Sequence, residues 1–290
     1  MLCWQCNGEP LEEAGYSTDL FAAEACRLIK SRDTSKPVFL YVPFNAPHGP
    51  TQAPEALVRK YATSGGRGRT TSYAAAIDAM DQAIGMILST LEQEMMTKDT
   101  LVLFFCDNGA RVSGKRPGDS GGLALRGGKG DLLEGGVRVP AVLRWPGVIQ
   151  RGVRCEQIAS VLDLLPTLTA AAGIEHANVK PLDGSNVWPA IRKNEVDQRD
   201  PVVIAGQRGE FAILQDPLKL IHSADGPRLY DVREDPTESR NLAPKQPEDV
   251  ARLESALEPF TQFVPQRPRR RRDRPDGSSG KGRPAKRRNR

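Results

Sequence analysis

Residues 100–109 read T-L-V-L-F-F-C-D-N-G, and residues 126–140 read R-G-G-K-G-D-L-L-E-G-G-V-R-V-P. The first stretch is apolar up to Cys106, as is typical of a strand that is buried on both faces of a parallel sheet. It ends at Asp107, Asn108 and Gly109. Because ligands of open α/β sheets collect beyond the carboxyl ends of the strands, these stretches predict an α/β fold with a site at that edge.

The residue types at this edge suit an anion held beside a metal ion. The carboxylate of Asp107 and the amide oxygen of Asn108 are ligands that a hard divalent cation prefers. Lys129 lies between glycines, which allow the backbone to approach a ligand closely. Its ammonium group suits a tetrahedral oxyanion. Taken alone, Asp-Asn-Gly is more often a simple turn, so the ordered set of motifs carries the prediction.

A second apolar run also ends in a polar residue that can do chemistry. Residues 38–42 read V-F-L-Y-V, and His48 follows between Pro47 and Pro50, which stiffen its loop. A long helix is predicted over residues 72–96. A strand, a helix and a strand form a unit with a right-handed crossover and parallel strands, so the His48 loop is expected to meet Asp107 and Asn108.

Two further helices are predicted before the end of this region. The first runs over residues 17–30, with Ser17 or Thr18 as its cap. The other begins at Asp163, which caps it, and extends to about Ala172. Apolar residues spaced by three and four predict the buried faces of the first helix and of the 72–96 helix: Phe21, Ala25, Leu28 and Ile29 in the former, and Tyr73, Ile77, Met80, Ile84, Ile87, Leu91 and Met95 in the latter.

The chain changes character after residue 201. Short apolar runs over residues 211–215, 218–221 and 229–231 are separated by Asp-Pro and Asp-Gly-Pro. Such runs predict antiparallel hairpins, and residues 247–262 predict a closing helix.

The last residues, 264–290, form a basic tail with twelve Lys and Arg and two Asp, whereas the whole chain has a formal net charge of +5. So polar a segment cannot bury a core, and we expect it to be disordered. It could bind polyanions weakly, although a solvated extension without a partner is an equal alternative. No run approaches the roughly 18 apolar residues of a membrane span, so we expect no transmembrane segment. Residues 1–20 lack a charged region followed by an apolar one, so we expect no signal peptide among them.

Six motifs in the same order resemble the sulfatase family, in the arylsulfatase branch of the alkaline-phosphatase-like superfamily. They cover residues 7–21, 39–50, 73–85, 107–109, 126–140 and 162–168. The resemblance implies an incomplete α/β/α sandwich of the alkaline-phosphatase type with a small C-terminal antiparallel α+β subdomain. We therefore expect a partial main domain over residues 1–200, the small subdomain over residues 201–263 and the tail over residues 264–290.

The resemblance also implies roles for single residues. His48 and Lys129 would be catalytic, with Lys129 on the sulfate oxygens and His48 on the leaving oxygen. Asp107 and Asn108 would bind a divalent metal, calcium in most of the family. The implied substrate is a sulfated small molecule or carbohydrate, and family members are commonly periplasmic, secreted or lysosomal.

One departure from the family concerns its nucleophile. Sulfatases carry an N-terminal C/S-x-P-x-R motif whose Cys or Ser becomes formylglycine, and no such motif occurs in these 290 residues. The chain thus resembles the later portion of a sulfatase, and we expect it to be inactive alone and to self-associate at unpaired strands. The alternatives are a phosphodiesterase or phosphonate hydrolase of the same superfamily, or a non-catalytic sulfatase fragment.

Overall fold

The computed structural model describes residues 4–63, 69–110, 125–175, 180–206 and 209–261. The chain divides into two compact units, each assembled from separate ranges. One unit draws on Met1–Phe104, Ala141–Gln157 and Trp188–Asp197, and the other draws on Phe105–Pro140, Ile158–Val187 and Gln198–Arg290. The basic tail and the end of the closing helix lie outside the described residues. The domain boundaries expected from the sequence stay predictions.

The first part of the chain is mainly helical with short strands between the helices, and four successive strands followed by a helix form the end of the described chain. The strands are β1 (Gln5–Cys6), β2 (Glu9–Pro10), β3 (Val102–Phe105), β4 (Ala141–Arg144), β5 (Val202–Ala205), β6 (Phe211–Gln215), β7 (Leu218–His222) and β8 (Arg228–Asp231). The helices are α1 (Ser17–Lys30), α2 (Glu55–Thr63), α3 (Arg69–Gln93), α4 (Glu134–Val137), α5 (Leu164–Ala171), α6 (Trp188–Lys193) and α7 (Pro247–Thr261). Within the described ranges, no helix combines the length and apolar character that crossing a membrane requires.

In the first unit, α1 and α2 both pack against α3. The contact face of α3 consists of small side chains, with Ala75, Ala76, Ala79 and Ala83 all at most 2% exposed. Small side chains let helix backbones approach closely, and the buried Ala22 and Ala25 of α1 repeat the pattern. The predicted stripe of larger residues is therefore wrong in part, because Tyr73 and Ile77 are exposed on α3 and only Leu91 of that stripe is buried.

The predicted caps also differ from those in the structure. Helix α1 has the expected bounds, but Tyr16 occupies its N-cap position and no side chain caps it. Its buried face contains Ala25 and Ile29 as expected, whereas Leu28 is exposed. Asp163 precedes α5, yet its carboxylate accepts hydrogen bonds from the backbone N–H groups of Ser160 at 2.6 Å and Ser185 at 2.7 Å.

The strand predicted over residues 38–42 is wrong: the segment belongs to no sheet. Val38, Phe39 and Tyr41 are exposed, Phe39 at 83% and Tyr41 at 69%, whereas Leu40 and Val42 are half-buried. Strand β3 pairs with β4 in a two-stranded sheet, so the predicted parallel partner of β3 is not observed. Strand β3 is also half-buried rather than buried on both faces. An apolar run becomes a strand only where a neighbouring strand accepts and donates its main-chain hydrogen bonds.

The C-terminal hairpins and the closing helix are confirmed. Strands β5, β6, β7 and β8 form a four-stranded antiparallel sheet in sequence order. Alternate residues face opposite sides of a strand, so the sheet has two distinct faces. One face packs against α7 around a core of seven buried residues: Phe211, Ile213, Leu220, Leu229, Val250, Leu253 and Leu257. The other face presents Ala212, Ile221 and Tyr230 to Leu132.

Replacing Leu253 by alanine is expected to destabilise the protein by about 2–5 kcal/mol. Leu253 is 0% exposed, so removing most of its side chain leaves a cavity in the core. Chemical denaturation followed by circular dichroism measures the free energy of unfolding. Leu165→Ala is the matched control in another helix, since Leu165 is 54% exposed and its loss should cost less than about 0.5 kcal/mol. Equal effects of the two changes would contradict this core assignment.

The exposed segment 38–42 is expected to make the purified chain self-associate, because unpaired main-chain groups beside apolar side chains attract other copies. Dynamic light scattering should show species larger than a monomer. The double change Phe39→Lys and Tyr41→Lys should reduce them, whereas Met95→Lys should not, since Met95 is an isolated apolar residue at 86% exposure. A monodisperse wild-type monomer with a cooperative thermal transition would refute the expectation.

Candidate functional site

Two loops of the second unit carry three of the four predicted site residues. We call residues 107–110, which contain Asp107 and Asn108, the Asp107 turn, and residues 126–138 the Lys129 loop. The Gly109 N–H donates to the Gly136 carbonyl at 3.0 Å, and the Lys129 N–H donates to the Ala110 carbonyl at 2.9 Å. The structure therefore joins the predicted metal-binding residues to the predicted anion-binding lysine through their main chains.

Glycine is required for this contact. A Cβ atom added to Gly109 would lie 2.0 Å from the Gly135 carbonyl oxygen, and one added to Gly136 would lie 2.2 Å from the Asp131 carbonyl oxygen. Both obstacles are backbone atoms, which cannot swing aside as a side chain can. The sequence predicted that the glycines beside Lys129 let the backbone approach a ligand, and that stays a prediction. In the structure, Gly109 and Gly136 admit neighbouring backbone atoms.

The Lys129 loop is also hydrogen-bonded within itself. The Asp131 carboxylate accepts from the Gly128 N–H at 2.9 Å, and the Asp131 N–H donates to the Gly128 carbonyl at 2.8 Å. These bonds close a tight turn with Lys129 at its tip. The Lys129 side chain is exposed. Across the described ranges no hydrogen bond or ion pair engages its ammonium group, which leaves that group available to an anion.

A buried charged cluster lies beneath the Lys129 loop. Lys219 on β7 is 0% exposed, and its Nζ lies 2.9 Å from Glu134 Oε1 and 3.0 Å from Glu238 Oε1. The other Glu238 oxygen accepts the Glu134 N–H at 2.7 Å. Arg126, at the start of the loop, donates to the Glu238 carbonyl. Sequence reasoning missed all four residues, because the alternation L-K-L in β7 is that of an exposed lysine.

A metal ion would find only part of a coordination shell here. Asp107 and Asn108 offer oxygen ligands of the type that calcium prefers, but calcium takes about 6–8 of them. The described part of the chain contains no group of three or more His, Cys, Asp or Glu side chains that could hold a metal ion. Asp131 is already engaged by Gly128. Asp107 and Asn108 are therefore residue types that fit calcium, but two residues do not complete its coordination shell.

The surroundings of Cys106, directly before the Asp107 turn, disfavour the nucleophilic form of its thiol. Burial raises the pKa of its thiol, and the nearby Asp107 carboxylate raises it further. The nucleophilic form of cysteine is the thiolate, and a raised pKa keeps the thiol protonated near neutral pH.

His48 belongs to the other compact unit, and its own geometry is defined. Its side chain is exposed, and its backbone N–H donates to the Asn45 carbonyl at 2.9 Å. Its Nδ1 lies 2.8 Å from the Gly49 carbonyl oxygen. Because a carbonyl can only accept, Nδ1 carries the proton, and Nε2 is the ring nitrogen left for a ligand.

Two family models match the chain. The Sulfatase model matches residues 3–174, which is more than half of the sequence. This chain belongs to the sulfatase family. The model for the C-terminal part of N-sulphoglucosamine sulphohydrolase matches residues 129–261, which include residues 129–138 of the Lys129 loop and the four-stranded sheet. The family predicted from the motifs is therefore confirmed.

Full-length relatives are much longer than the matched part. Steryl-sulfatase of Rattus norvegicus is 34% identical over 188 residues, which are 63% of this chain and 31% of the relative. N-acetylgalactosamine-6-sulfatase of Sus scrofa is 35% identical over 184 residues, which are 63% of this chain and 34% of the relative. The chain thus spans about a third of the length of these curated relatives.

The solved structures confirm the fold class. The crystal structure of Ps i-CgsB is similar with a TM-score of 0.81 and 29% identity, over 90% of this chain and 58% of that chain. The same protein in complex with k-i-k-neocarrahexaose gives a TM-score of 0.81 and 28% identity over the same shares. The alkaline-phosphatase-like fold of sulfatases, with a mixed α/β part and antiparallel sheets, is therefore the fold of this chain.

We expect calcium to bind weakly, with a dissociation constant of about 1 mM or above, because two residues cannot supply the full set of oxygens. Isothermal titration calorimetry on the purified chain measures this affinity. Asp107→Ala should abolish the remaining signal, and Asp99→Ala, which removes another exposed aspartate, should leave it unchanged. Micromolar affinity that depends on Asp107 would show that other carboxylates complete the site.

Proposed function

We propose that this chain takes part in the hydrolysis of sulfate esters by binding and polarising the sulfate group. One observation carries the proposal: the Asp107 turn and the Lys129 loop are hydrogen-bonded to each other, within a chain that belongs to the sulfatase family. A cation at the tip of one loop and oxygen ligands on the other suit a tetrahedral anion held beside a metal.

In this proposal Lys129 binds sulfate oxygens. Its ammonium group is exposed, and the hydrogen bonds across its loop hold the backbone on either side. A fixed positive charge stabilises the negative charge that develops on the transferring group and the leaving oxygen. Because the loop is ordered before the ligand binds, little reorganisation is needed during the reaction.

His48 is proposed to act on the leaving oxygen through Nε2. The Gly49 carbonyl holds the proton on Nδ1, so neutral His48 offers a lone pair at Nε2. Protonated His48 would instead donate a proton there as the S–O bond breaks. The proposed role therefore needs the imidazolium form in the productive complex.

Asp107 and Asn108 are proposed as two ligands of a divalent metal, calcium by analogy with the family. The metal would supply positive charge near the sulfate oxygens. No step is assigned to it, since the described residues do not complete its coordination. The formylglycine motif of the family does not occur in this sequence, so the chain contains no identified nucleophile.

The proposed substrate is a sulfated small molecule or carbohydrate. The complete enzyme is proposed to be a sulfatase of the arylsulfatase type. The names of the relatives support this range, since one is a steryl-sulfatase and another an N-acetylgalactosamine-6-sulfatase. The complex of Ps i-CgsB with k-i-k-neocarrahexaose supports a carbohydrate.

The isolated chain is expected to show no turnover of a chromogenic aryl sulfate, because the remaining groups can bind and polarise the ester but cannot attack it. Inorganic sulfate should still bind weakly, and Lys129→Ala should abolish that binding. Continuous absorbance with added calcium measures turnover, and nuclear magnetic resonance titration measures sulfate binding.

Lys245→Ala is the matched control for the titration, because Lys245 is also an exposed lysine of the same unit. It should leave sulfate binding unchanged. Turnover that copurifies with the chain and is lost in Lys129→Ala would refute the expected inactivity. Sulfate binding that survives Lys129→Ala would refute the role of Lys129.

A further inference from the structure

The cluster of Lys219, Glu134 and Glu238 places three ionisable side chains out of contact with water. Lys219 and Glu238 are each 0% exposed, and Glu134 is 4% exposed. Charged side chains are rarely buried so completely, because removing an ion from water is costly unless partners replace the lost hydration. Here each carboxylate lies within 3.0 Å of the same ammonium group. The cluster therefore requires all three members together.

The three residues come from three separate parts of the sequence. Glu134 lies in the Lys129 loop, Lys219 is the second residue of β7, and Glu238 follows β8. Lys219 is on the same sheet face as Ile221, which packs with Leu132 of the loop. The cluster thus connects the Lys129 loop to the four-stranded sheet, which has its own core on the opposite face.

Glu238 also reaches the loop in a second way. Its carboxylate accepts the Glu134 N–H at 2.7 Å, and its carbonyl accepts from the Arg126 guanidinium. The two bonds engage the residue at the start of α4 and the residue at the start of the Lys129 loop. They are made from a left-handed backbone conformation, with φ at +52° for Glu238. A non-glycine residue adopts that conformation only where its surroundings hold it.

Asp235 provides that support. Its carboxylate accepts hydrogen bonds from Thr237 Oγ1 at 2.8 Å, Ser239 Oγ at 3.1 Å and the Arg240 N–H at 2.8 Å. Burial by itself raises the pKa of this carboxyl, and the hydrogen bonds outweigh burial and lower it. The ionised Asp235 thus closes the turn that presents Glu238 to the loop.

We propose that Lys219, Glu134 and Glu238 are positioning residues for the Lys129 loop. The cluster fixes the loop against the sheet, and the loop in turn holds the Asp107 turn through the bonds at Gly109 and Lys129. This positioning role rests on the proposed function only in naming sulfate as the ligand of Lys129, whereas the fixing of the loop against the sheet follows from the contacts.

The first test is amide hydrogen exchange of the full chain, measured by nuclear magnetic resonance. Glu134→Gln removes the charge that pairs with Lys219. The amides of Gly109, Lys129 and Gly135 report the loop contacts, and those of Ile213 and Leu220 report the sheet. We expect the loop amides to exchange at least about 10-fold faster and the sheet amides to be unchanged, because local opening is independent of global unfolding. Equal acceleration at both sets would overturn the proposal.

A second variant keeps the test valid if Glu134→Gln unfolds the protein. Lys219→Met combined with Glu134→Gln and Glu238→Gln removes all three charges of the cluster, and replacing every partner of a buried ionic group often preserves stability. Methionine cannot donate a hydrogen bond to residue 134 or 238, so the loop amides should still exchange at least about 10-fold faster in the folded triple variant. Wild-type protection of the loop in that variant would overturn the proposal.

The matched control is Asp163→Asn, which weakens another buried ion pair of the same unit. Asp163 pairs with Arg199, and its backbone partners are Ser160 and Ser185, none of which lies in the Lys129 loop. Its loop amides should keep wild-type exchange rates. Loop exchange as fast as in Glu134→Gln would show that any loss of stability loosens the loop, which contradicts a positioning role.

Titration with inorganic sulfate separates this inference from the proposed function. If both hold, the triple variant should bind sulfate at least about 5-fold more weakly than wild type, because a loosened loop must be ordered when the anion binds. If wild type binds no sulfate while the loop amides respond as expected, the proposed function fails and the positioning role stands. If sulfate affinity depends on Lys129 but is unchanged in the triple variant, the positioning role fails and the proposed function stands.

Discussion

In the second unit, the Asp107 turn packs so closely against the Lys129 loop that Gly109 has no room for a side chain beside the Gly135 carbonyl, and Gly136 has none beside the Asp131 carbonyl within the loop. Protein interiors are densely packed, so two backbones in such close contact have a single relative position rather than a range of positions. Two hydrogen bonds set its register. The relation between the oxygen ligands of Asp107 and Asn108 and the charge of Lys129 depends on this contact, because each residue is adjacent to it in the chain.

Support for the contact comes from the C-terminal sheet and from charge. The hydrophobic packing between Leu132, Ile221 and Tyr230 does not fix the orientation of the loop, because the hydrophobic effect is non-directional. The ion pairs of Lys219 are directional and become costly when one partner moves away. In the Lys129 loop, the apolar contacts keep the loop close to the sheet, and the ion pairs fix which loop residues lie opposite which sheet residues. The core between α7 and the sheet lies on the opposite sheet face and takes no part in these contacts.

Sequence reasoning was most successful where structure is local. The hairpins of β6, β7 and β8 and the bounds of α1 were predicted from turn residues and periodicity, and they are confirmed. It was wrong for residues 38–42 and for the apolar stripe at Tyr73 and Ile77. Whether a segment forms a strand, and which face of a helix is buried, depends on the element that packs against it. An apolar pattern describes the side chains of one segment and does not identify that neighbouring element. The buried alanines of α3 gave a weaker periodic signal than the larger residues that are exposed.

The amino-acid sequence by itself determined the family, the order of the motifs and the identity of the four candidate site residues, because each motif is a short run whose chemistry is local. Only the tertiary structure decided which groups support the site. Lys219, Glu134 and Glu238 lie far apart in the chain, and β7 alternates as an exposed strand would. Their meeting depends on a sheet face that is covered by a distant loop. Burial and charge pairing are properties of that long-range contact, so no pattern within a single segment of the sequence could indicate them.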